Sequence, residues 1–571
     1  MGTRIETEYR ARALRLPSQT ASRRLAMLAL LSLLGACSSL PPGADYPRQA
    51  STAFGHPDAT RFGRHFAAAA HAHPGQSGFY ILSAGEDGFL IRMQIIQAAQ
   101  RTLDLQYFAF HADQTGKLLT DAILHAADRG VRVRLLIDDG ETLDGDEQIA
   151  ALEAHPNIQI RYYNPFRYRG TARFFRGLEF MFNADRLDYR MHNKLFVADN
   201  AIALVGGRNI GDMYFQIDPD GQYADDDVFA AGPIVQQLSS SFDRFWNNPL
   251  SIPQQALKVD PEAQAAGEPD DLADDRIEAA GEKSQERVDE RKELATHRRK
   301  LAAHREALKD EGVDYVTRIA SGEPLNGILS GRLPLVWARA KLLYDSPDKK
   351  DLERGNMVGK LMFPSVFDEA SKTQHELLMI TPYLVPGEDG MKLFRILRAR
   401  RVRVRILTTS LESSTVLPAQ AGYMHYRIPL LEEGIELYET RALLGSTRGS
   451  GEKRVIADAG NFSLHAKLLV FDQKSVFIGS MNFDQRSMHL NTEIGLIIDS
   501  PELAHQVAAR FNAMTQPENA YRLILSGDSG HLVWRTRVGG KMVDYAEEPA
   551  RSPCQRFEVK ALSQLPLDGE L

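Results

Sequence analysis

The chain has 571 residues, 43% of them hydrophobic and 25% charged, with a formal net charge of -7. That length exceeds what one hydrophobic core normally serves and implies two core-bearing halves, while the acidic balance leaves no chain-wide positive field of the kind that holds nucleic acid. Two cysteines, Cys37 and Cys554, exclude a disulfide framework and a cysteine-rich metal site.

Arg23 and Arg24 precede an apolar run over residues 25–36. The run is too short to cross a bilayer and fits the apolar core of a secretory signal. It ends at Leu34, Gly35, Ala36 and Cys37, a string that resembles the bacterial lipobox; an uncleaved anchor or a chance cysteine is the alternative. The lipobox resemblance implies that residues 1–36 are a removed signal peptide and that Cys37 is the lipidated mature terminus. It also implies a lipoprotein of the bacterial cell envelope facing the periplasm, and Ser38 after the cysteine goes with the outer membrane. Residues 37–75 read as a tether, rich at first in Ser, Pro, Gly and Ala.

From there the chain repeats itself. Residues 103–110 read as a strand, 117–129 as a helix stopped by Gly130, and 131–137 and 158–163 as further strands. The second half repeats this order with a strand at 377–383, a helix at 391–400 and strands at 402–407 and 435–438. The tetrapeptide Val-Arg-Val-Arg occurs at 131–134 and again at 402–405. The alternation predicts an α/β fold with a largely parallel sheet covered by helices, and the recurrence predicts two similar domains, at 76–255 and 326–535. Between them, residues 256–325 form a charged insertion. Its segment 282–310 reads as an exposed helix or helical hairpin with charge pairs four residues apart, either a solvated insertion or an arm for an unknown protein partner. The C-terminal extension 536–571 carries no signal.

Each half carries one H-x-K-x4-D motif. The first has His192, Lys194 and Asp199, followed by Gly206, Gly207 and Asn209; the second has His465, Lys467 and Asp472, followed by Gly479, Ser480 and Asn482. The asparagine follows the histidine by 17 residues in both. Histidine and lysine two apart on a strand share a face, and the small residues let backbone or substrate approach closely. Each half thus supplies an imidazole, an ammonium and an amide to one place, and the halves are expected to face each other across a pseudo-twofold axis. That set suits a phosphodiester. One imidazole can attack phosphorus, the other can protonate the leaving oxygen, and two lysines can offset the phosphoryl charge, so no metal or cofactor is expected. Downstream carboxylates at the heads of apolar strands, Asp227 and Glu493, are the expected partners of the imidazoles, with Asp225 or Asp226 as alternatives to Asp227.

The doubled motif resembles that of the phospholipase D superfamily, over roughly residues 76–530. The strings at 191–194, 204–212, 421–423 and 477–484 are most similar to the bacterial cardiolipin synthase C type. The resemblance implies two α/β/α sandwich halves and a phosphatidyl-histidine intermediate. It implies His192 as nucleophile, His465 as general acid, and Asp199 and Asp472 as structural residues. It also implies transfer of a phosphatidyl group to phosphatidylglycerol. Hydrolysis to phosphatidic acid, a secreted phosphodiesterase or nuclease, and a non-enzymatic envelope protein are the alternative functions.

Residues 161–190 hold seven arginines and nine aromatics against three acids, which fits a lipid headgroup boundary. Arginines that meet phosphate there would join the lipid on Cys37 in holding the membrane. The same segment would fit single-stranded nucleic acid. The expected partner is phospholipid rather than nucleic acid, because a tethered, acidic chain meets membrane lipid constantly. Tyr107, Tyr383 and Tyr423 are candidates for the substrate pocket wall, the first two because they lie near the ends of matching strands.

Overall fold

Short buried runs of branched and aliphatic residues, each closed by small or polar residues, form the strands of this protein. The computed structural model describes residues 43–565 except 142–148, 150, 169–172, 218–221, 258–272, 311–318, 320–321, 356–358, 443–461 and 528–529. Cys37 and the expected signal peptide lie outside the described residues. The first half contributes β1 (Ser77–Leu82), β2 (Thr102–Tyr107), β3 (Arg132–Asp138), β4 (Ile158–Tyr163), β5 (Leu195–Ala198), β6 (Ile202–Gly206), β7 (Gln222–Ala224), β8 (Asp227–Ala231) and β9 (Ser251–Pro253). The second contributes β10 (Val336–Tyr344), β11 (Glu376–Ile380), β12 (Arg403–Thr409), β13 (Glu436–Thr440), β14 (Phe462–Leu464), β15 (Leu468–Phe471), β16 (Ser475–Gly479), β17 (Ile494–Asp499), β18 (Ala520–Ser526), β19 (His531–Val538) and β20 (Lys541–Tyr545).

The halves join edge to edge through antiparallel β1 and β10, with Gly78 opposite Trp337. Outward from that seam the first half runs β1, β8, β6, β5, β2, β3, β4, β9. The second runs β10, β17, β16, β15, β11, β12, β13, β18, and then adds β19 and β20. The pseudo-twofold expected from the repeat is therefore present strand for strand. The expectation of a largely parallel sheet needs correction. Within this sheet only β2, β3 and β4, and β11, β12 and β13, pair in parallel, because the motif strands return through tight turns and so pair antiparallel.

Helices Gly85–Ala98 and Gln114–Asp128 cover the outer face of the first half. Met362–Ser371 and Gly387–Ala399 do the same in the second. The central core belongs to both halves. Helices Ile234–Trp246 and Pro501–Met514 bury Phe242, Trp246 and Phe511 there, with Leu195 and Val205 of one half and Leu468 and Leu496 of the other. The insertion contains one long helix, Ala273–Asp310. It was expected to be exposed, but its C-terminal part docks. Leu294, Leu301 and Leu308, seven residues apart, are buried, and Arg298 and Arg305 pair with Asp128 and Asp121 on helix Gln114–Asp128.

Asp199 and Asp472 brace the turns after β5 and β15. Both adopt left-handed backbone, φ 55° and 52°. The carboxylate of Asp199 accepts N–H bonds from Gln100, Arg101 and Thr102 at the start of β2. That of Asp472 accepts the equivalent bonds from Gln374, His375 and Glu376 before β11.

Candidate active site

The backbone just ahead of β5 and β15 carries each histidine to the seam between the halves, and there it pairs with the opposite half. His192 N–H donates to Thr492 O at 2.9 Å, and Thr492 N–H donates to Arg190 O at 2.9 Å. In the mirror arrangement β14 lies parallel to β7, with Leu464 opposite Ala224, and His465 N–H donates to Ala224 O at 2.8 Å. Each histidine is thus held against the residue that precedes a carboxylate of the other half. His192 Nδ1–H reaches both oxygens of Glu493 at 2.9 Å. His465 Nδ1–H donates to Asp225 Oδ2 at 2.6 Å. With Nδ1 so occupied, the lone pair of each neutral ring sits on Nε2.

Asp227 does not serve as the imidazole partner, and strand register explains why. Gly206 faces Asp227 across β6 and β8, as Gly479 faces Gly495 across β16 and β17. Glu493 precedes Gly495 by two residues, so its counterpart is Asp225. Asp227 points into the first half, to Arg92 at 2.9 Å and Arg208 at 3.3 Å. Asp226 accepts from Ser83 Oγ at 2.6 Å and lies 3.3 Å from Arg510. The residue after the strand-end glycine also differs. Ser480 Oγ donates to Glu493, whereas Gly207 lies under Asp225, where an added Cβ would come within 2.2 Å of Oδ1.

Both lysines are buried at the site. Lys194 Nζ donates to His192 O at 2.7 Å and lies 5.3 Å from the Phe108 ring centre. Lys467 Nζ lies 3.0 Å from Nδ1 and 3.3 Å from Nε2 of His465. The asparagines are not equivalent. Asn209 donates to the Tyr214 hydroxyl at 2.9 Å and accepts from Ala109 N–H at 3.2 Å, while the Asn482 side-chain oxygen has no partner among the described residues.

The aromatic wall differs from the expected tyrosines. Tyr107 is fully buried in the outer core, accepting from Arg92 Nε at 3.2 Å; side chains alternate along a strand, so its neighbour Phe108 faces His192 instead, ring centres 5.2 Å apart. Nor do Tyr107 and Tyr383 match. Gln106 pairs with Leu195 and Ile380 with Leu468, which makes Thr381 the counterpart of Tyr107. Tyr423 also lies in an outer core, under the Arg427 guanidinium at 4.7 Å. Tyr383 does reach the site region, where burial and then the neighbouring Tyr223 push its hydroxyl up. The residues around His465 that the motif did not announce are Tyr223, stacked at 4.8 Å, and Tyr214, edge-on at 5.2 Å. Four arginines of residues 161–190 turn inward rather than to a surface: Arg161 to Trp246 O, Arg176 to Asp139, Arg186 to Asn164 and Arg190 to Asp138.

Electrostatics follow from burial. His192 is held well below its ordinary pKa by desolvation and then by the Lys194 and Lys467 charges. His465 is pushed down to about 3 by burial and then Lys467. Burial lowers Lys467 to about 8 and holds Lys194 well below its ordinary value. Burial raises Glu493 to about 7 against the pull of Lys194. Burial also acts upward on Asp225, but His465 and Lys467 outweigh it and hold Asp225 far below the carboxylate range. Neutral imidazoles with an Nε2 lone pair, beside two amines that an anion would draw into the ammonium form, suit attack on an anionic phosphodiester.

The model of the family described as cardiolipin synthase, phospholipase D-like domain, matches residues 93–246 and 366–515, one copy in each half. Cardiolipin synthase C of Escherichia coli (strain K12) is 36% identical over 499 residues, which cover 87% of this chain and 96% of that protein. A cardiolipin synthase of Halalkalibacterium halodurans is 23% identical, over 73% of this chain and 62% of its own. Among solved structures, the phosphatidylserine synthase of Haemophilus influenzae Rd KW20 overlays on 89% of this chain and 100% of its own, with TM-score 0.49 and 14% identity. The chain belongs to the phospholipase D superfamily, in its cardiolipin synthase-like branch, and is an enzyme of the phospholipase D type.

Proposed function

We propose that this enzyme makes cardiolipin, by moving a phosphatidyl group onto phosphatidylglycerol through a phosphohistidine on His192. The observation that carries the reading is the crossed pairing of two histidines with carboxylates of opposite halves, His192 with Glu493 and His465 with Asp225. His192 suits the nucleophile. Its Nδ1 is occupied by Glu493, and among the described residues no hydrogen bond engages its Nε2. Lys467 lies against both ring nitrogens of His465.

In the first step Nε2 of His192 attacks phosphorus, the bond to the departing headgroup oxygen breaks, and His465 gives that oxygen a proton. The bound phosphodiester anion raises the proton affinity of His465 above its resting value, so His465 takes up a proton from solvent on Nε2 as the anion binds and holds it for the leaving oxygen. In the second step His465 takes the proton of the acceptor hydroxyl, whose oxygen displaces His192 from phosphorus. Lys194 and Lys467 offset charge on the non-bridging oxygens. Asn482, with its free amide oxygen, suits the acceptor side better than Asn209, which Tyr214 engages.

Water as acceptor would give phosphatidic acid from the same first step. Phe108 against His192, with half-buried Tyr223 and buried Tyr214 against His465, supports transfer, because these rings limit the water that can compete. The envelope location rests on the lipobox string ending in Cys37. Incubation with phosphatidylglycerol, with and without phosphatidylethanolamine, followed by product analysis tests the proposal. Cardiolipin that vanishes in His192→Ala and His465→Ala supports it; phosphatidic acid alone makes the enzyme a hydrolase, and product from His192→Ala rules out the intermediate. Quenching in neutral or mildly alkaline denaturant, which the acid-labile phosphorus–nitrogen bond survives, should trap label from a labelled donor lipid on the unaltered chain and none on His192→Ala.

A further inference from the structure

Helix Arg173–Leu187, kinked at Asn183, is amphipathic in the wrong sense for a free globular protein. Arg176, Glu179 and Arg186 turn to the fold, and its large apolar residues face out. Arg176 reaches the Asp139 carboxylate at 3.0 Å and Asp139 O at 3.1 Å. Glu179 accepts the backbone N–H groups of Arg167 and Tyr168 at 2.8 and 3.0 Å, and Arg186 donates to Asn164 Oδ1 at 2.7 Å. Asp185 ties the same helix to the second half through Lys350, at 2.7 Å, and Arg354. On the opposite side Phe174, Phe175, Met181 and Phe182 are 71%, 51%, 64% and 55% exposed. Phe174, Met181 and Phe182 recur at i, i+7 and i+8, one stripe of a helix. Phe180 adds a fifth exposed apolar residue, so five of the thirteen exposed large hydrophobics among the described residues sit on this one element.

Its place in the chain is as telling as its face. His192 follows Leu187 by five residues. Adjacent aspartates tie the two features together: Asp139 anchors the helix through Arg176, and Asp138 accepts Met191 N–H at 2.7 Å, next to His192. The helix and the backbone next to His192 are therefore braced on the same turn of chain.

We infer that the apolar face of helix Arg173–Leu187 docks into the acyl boundary of a lipid bilayer and presents the site to substrate there. This rests on the phospholipid reading above and adds the element that meets the bilayer. A charged partner fits poorly, because Arg161, Arg176, Arg186 and Arg190 are spent inside the fold and the chain carries a net charge of -7. The large side chains left outward on the helix are apolar and aromatic, the composition of an interfacial wedge. No helix among the described residues is long and apolar enough to cross a membrane, so the docking is parallel to the surface.

The test uses the full chain with Phe182→Trp and vesicles of phosphatidylethanolamine and phosphatidylglycerol whose acyl chains carry bromine. The added indole should be quenched and blue-shifted, and the signal should persist in high salt. Separately, Phe174→Ser with Met181→Ser and Phe182→Ser should lower turnover of vesicle lipid by about tenfold or more and leave turnover of a dispersed short-chain phosphatidylglycerol unchanged. An unquenched indole in Phe182→Trp, on vesicles that hold the chain, would overturn the docking, as would wild-type turnover of vesicle lipid by the triple variant. Self-association that the triple substitution abolishes, with vesicle binding intact, would assign the face to a second copy instead. Absence of any lipid product from the unaltered chain would remove the phospholipid reading while the quenching still reports on the helix.

Discussion

Glu493 belongs to the second half of the chain, yet both its oxygens lie 2.9 Å from Nδ1 of His192 in the first. The reciprocal contact joins His465 to Asp225, so neither half holds an oriented histidine by itself. A carboxylate in this position fixes the tautomer and stabilises the charged ring that forms in the reaction. Glu493→Gln retains the shape and removes the charge. It should lower kcat by about 100-fold or more with a small change in unfolding midpoint. Near-normal kcat would mean that the contact serves only to join the halves.

Asp225 and Asp227, two residues apart, should separate function from stability. Asp225→Asn should mimic Glu493→Gln, since it removes the negative charge of the acceptor that holds His465. Asp227→Asn leaves Arg92 and Arg208, both buried, without their carboxylate. Breaking a buried pair from one side costs about 3 kcal/mol or more, so urea unfolding should shift strongly while kcat of the folded fraction stays within about tenfold of wild type. The opposite pattern would reverse the register argument.

Gly207 offers a steric check on the same geometry. Its missing side chain makes room for Asp225, and an alanine Cβ would stand 2.2 Å from Oδ1. Gly207→Ala should displace the carboxylate from His465 and lower kcat by about tenfold or more. Ser480→Ala, at the matching position, removes a donor to Glu493 without a clash and should act mainly on the pH profile. Equal kinetic behaviour of the two variants would refute the inequivalence of the two positions.

The histidine–lysine–asparagine sets were legible because strand periodicity and a repeated interval of 17 residues fix them without knowledge of the fold. What could not be read depended on register. Three consecutive aspartates, 225 to 227, offer one partner for His465, and only the pairing of Gly206 with Asp227 shows that the partner lies two residues earlier. Tyr107 and Phe108 pose the same problem, since one position along a strand reverses the side that a ring faces. The docked part of helix Ala273–Asp310 was hidden by its charge density; its leucines at 294, 301 and 308 are spaced for a narrow seam, and only the surface of helix Gln114–Asp128 supplies the other side. In residues 161–190 the composition suggests a headgroup boundary, but four of the arginines are braces within the fold, and the large side chains left exposed are aromatic and apolar.

Activity and stability should depend on pH in opposite directions near neutrality. Burial raises Glu493 from its ordinary 4.5 to about 7. Below that value the protonated carboxyl can donate to Nδ1 of His192, which moves the ring proton to Nε2 and removes the attacking lone pair. Burial lowers Lys467 to about 8, and above that value its charge leaves the phosphoryl site. The expected kcat/KM profile is a bell between about 7 and about 8, and Glu493→Gln should lose the acid limb. For stability the sign is reversed. A carboxyl whose folded pKa is raised contributes fully below 4.5, and that contribution is lost as pH climbs through 7. An amine whose folded pKa is lowered contributes fully above 10.5, and that contribution is lost as pH falls through 8. Both groups therefore weaken the fold most in the window where the site works. The unfolding free energy of Glu493→Gln relative to wild type should rise between pH 4.5 and 7 and then level off. A constant difference across that range would mean that Glu493 is ionised throughout, and the acid limb of the rate profile would then belong to another group.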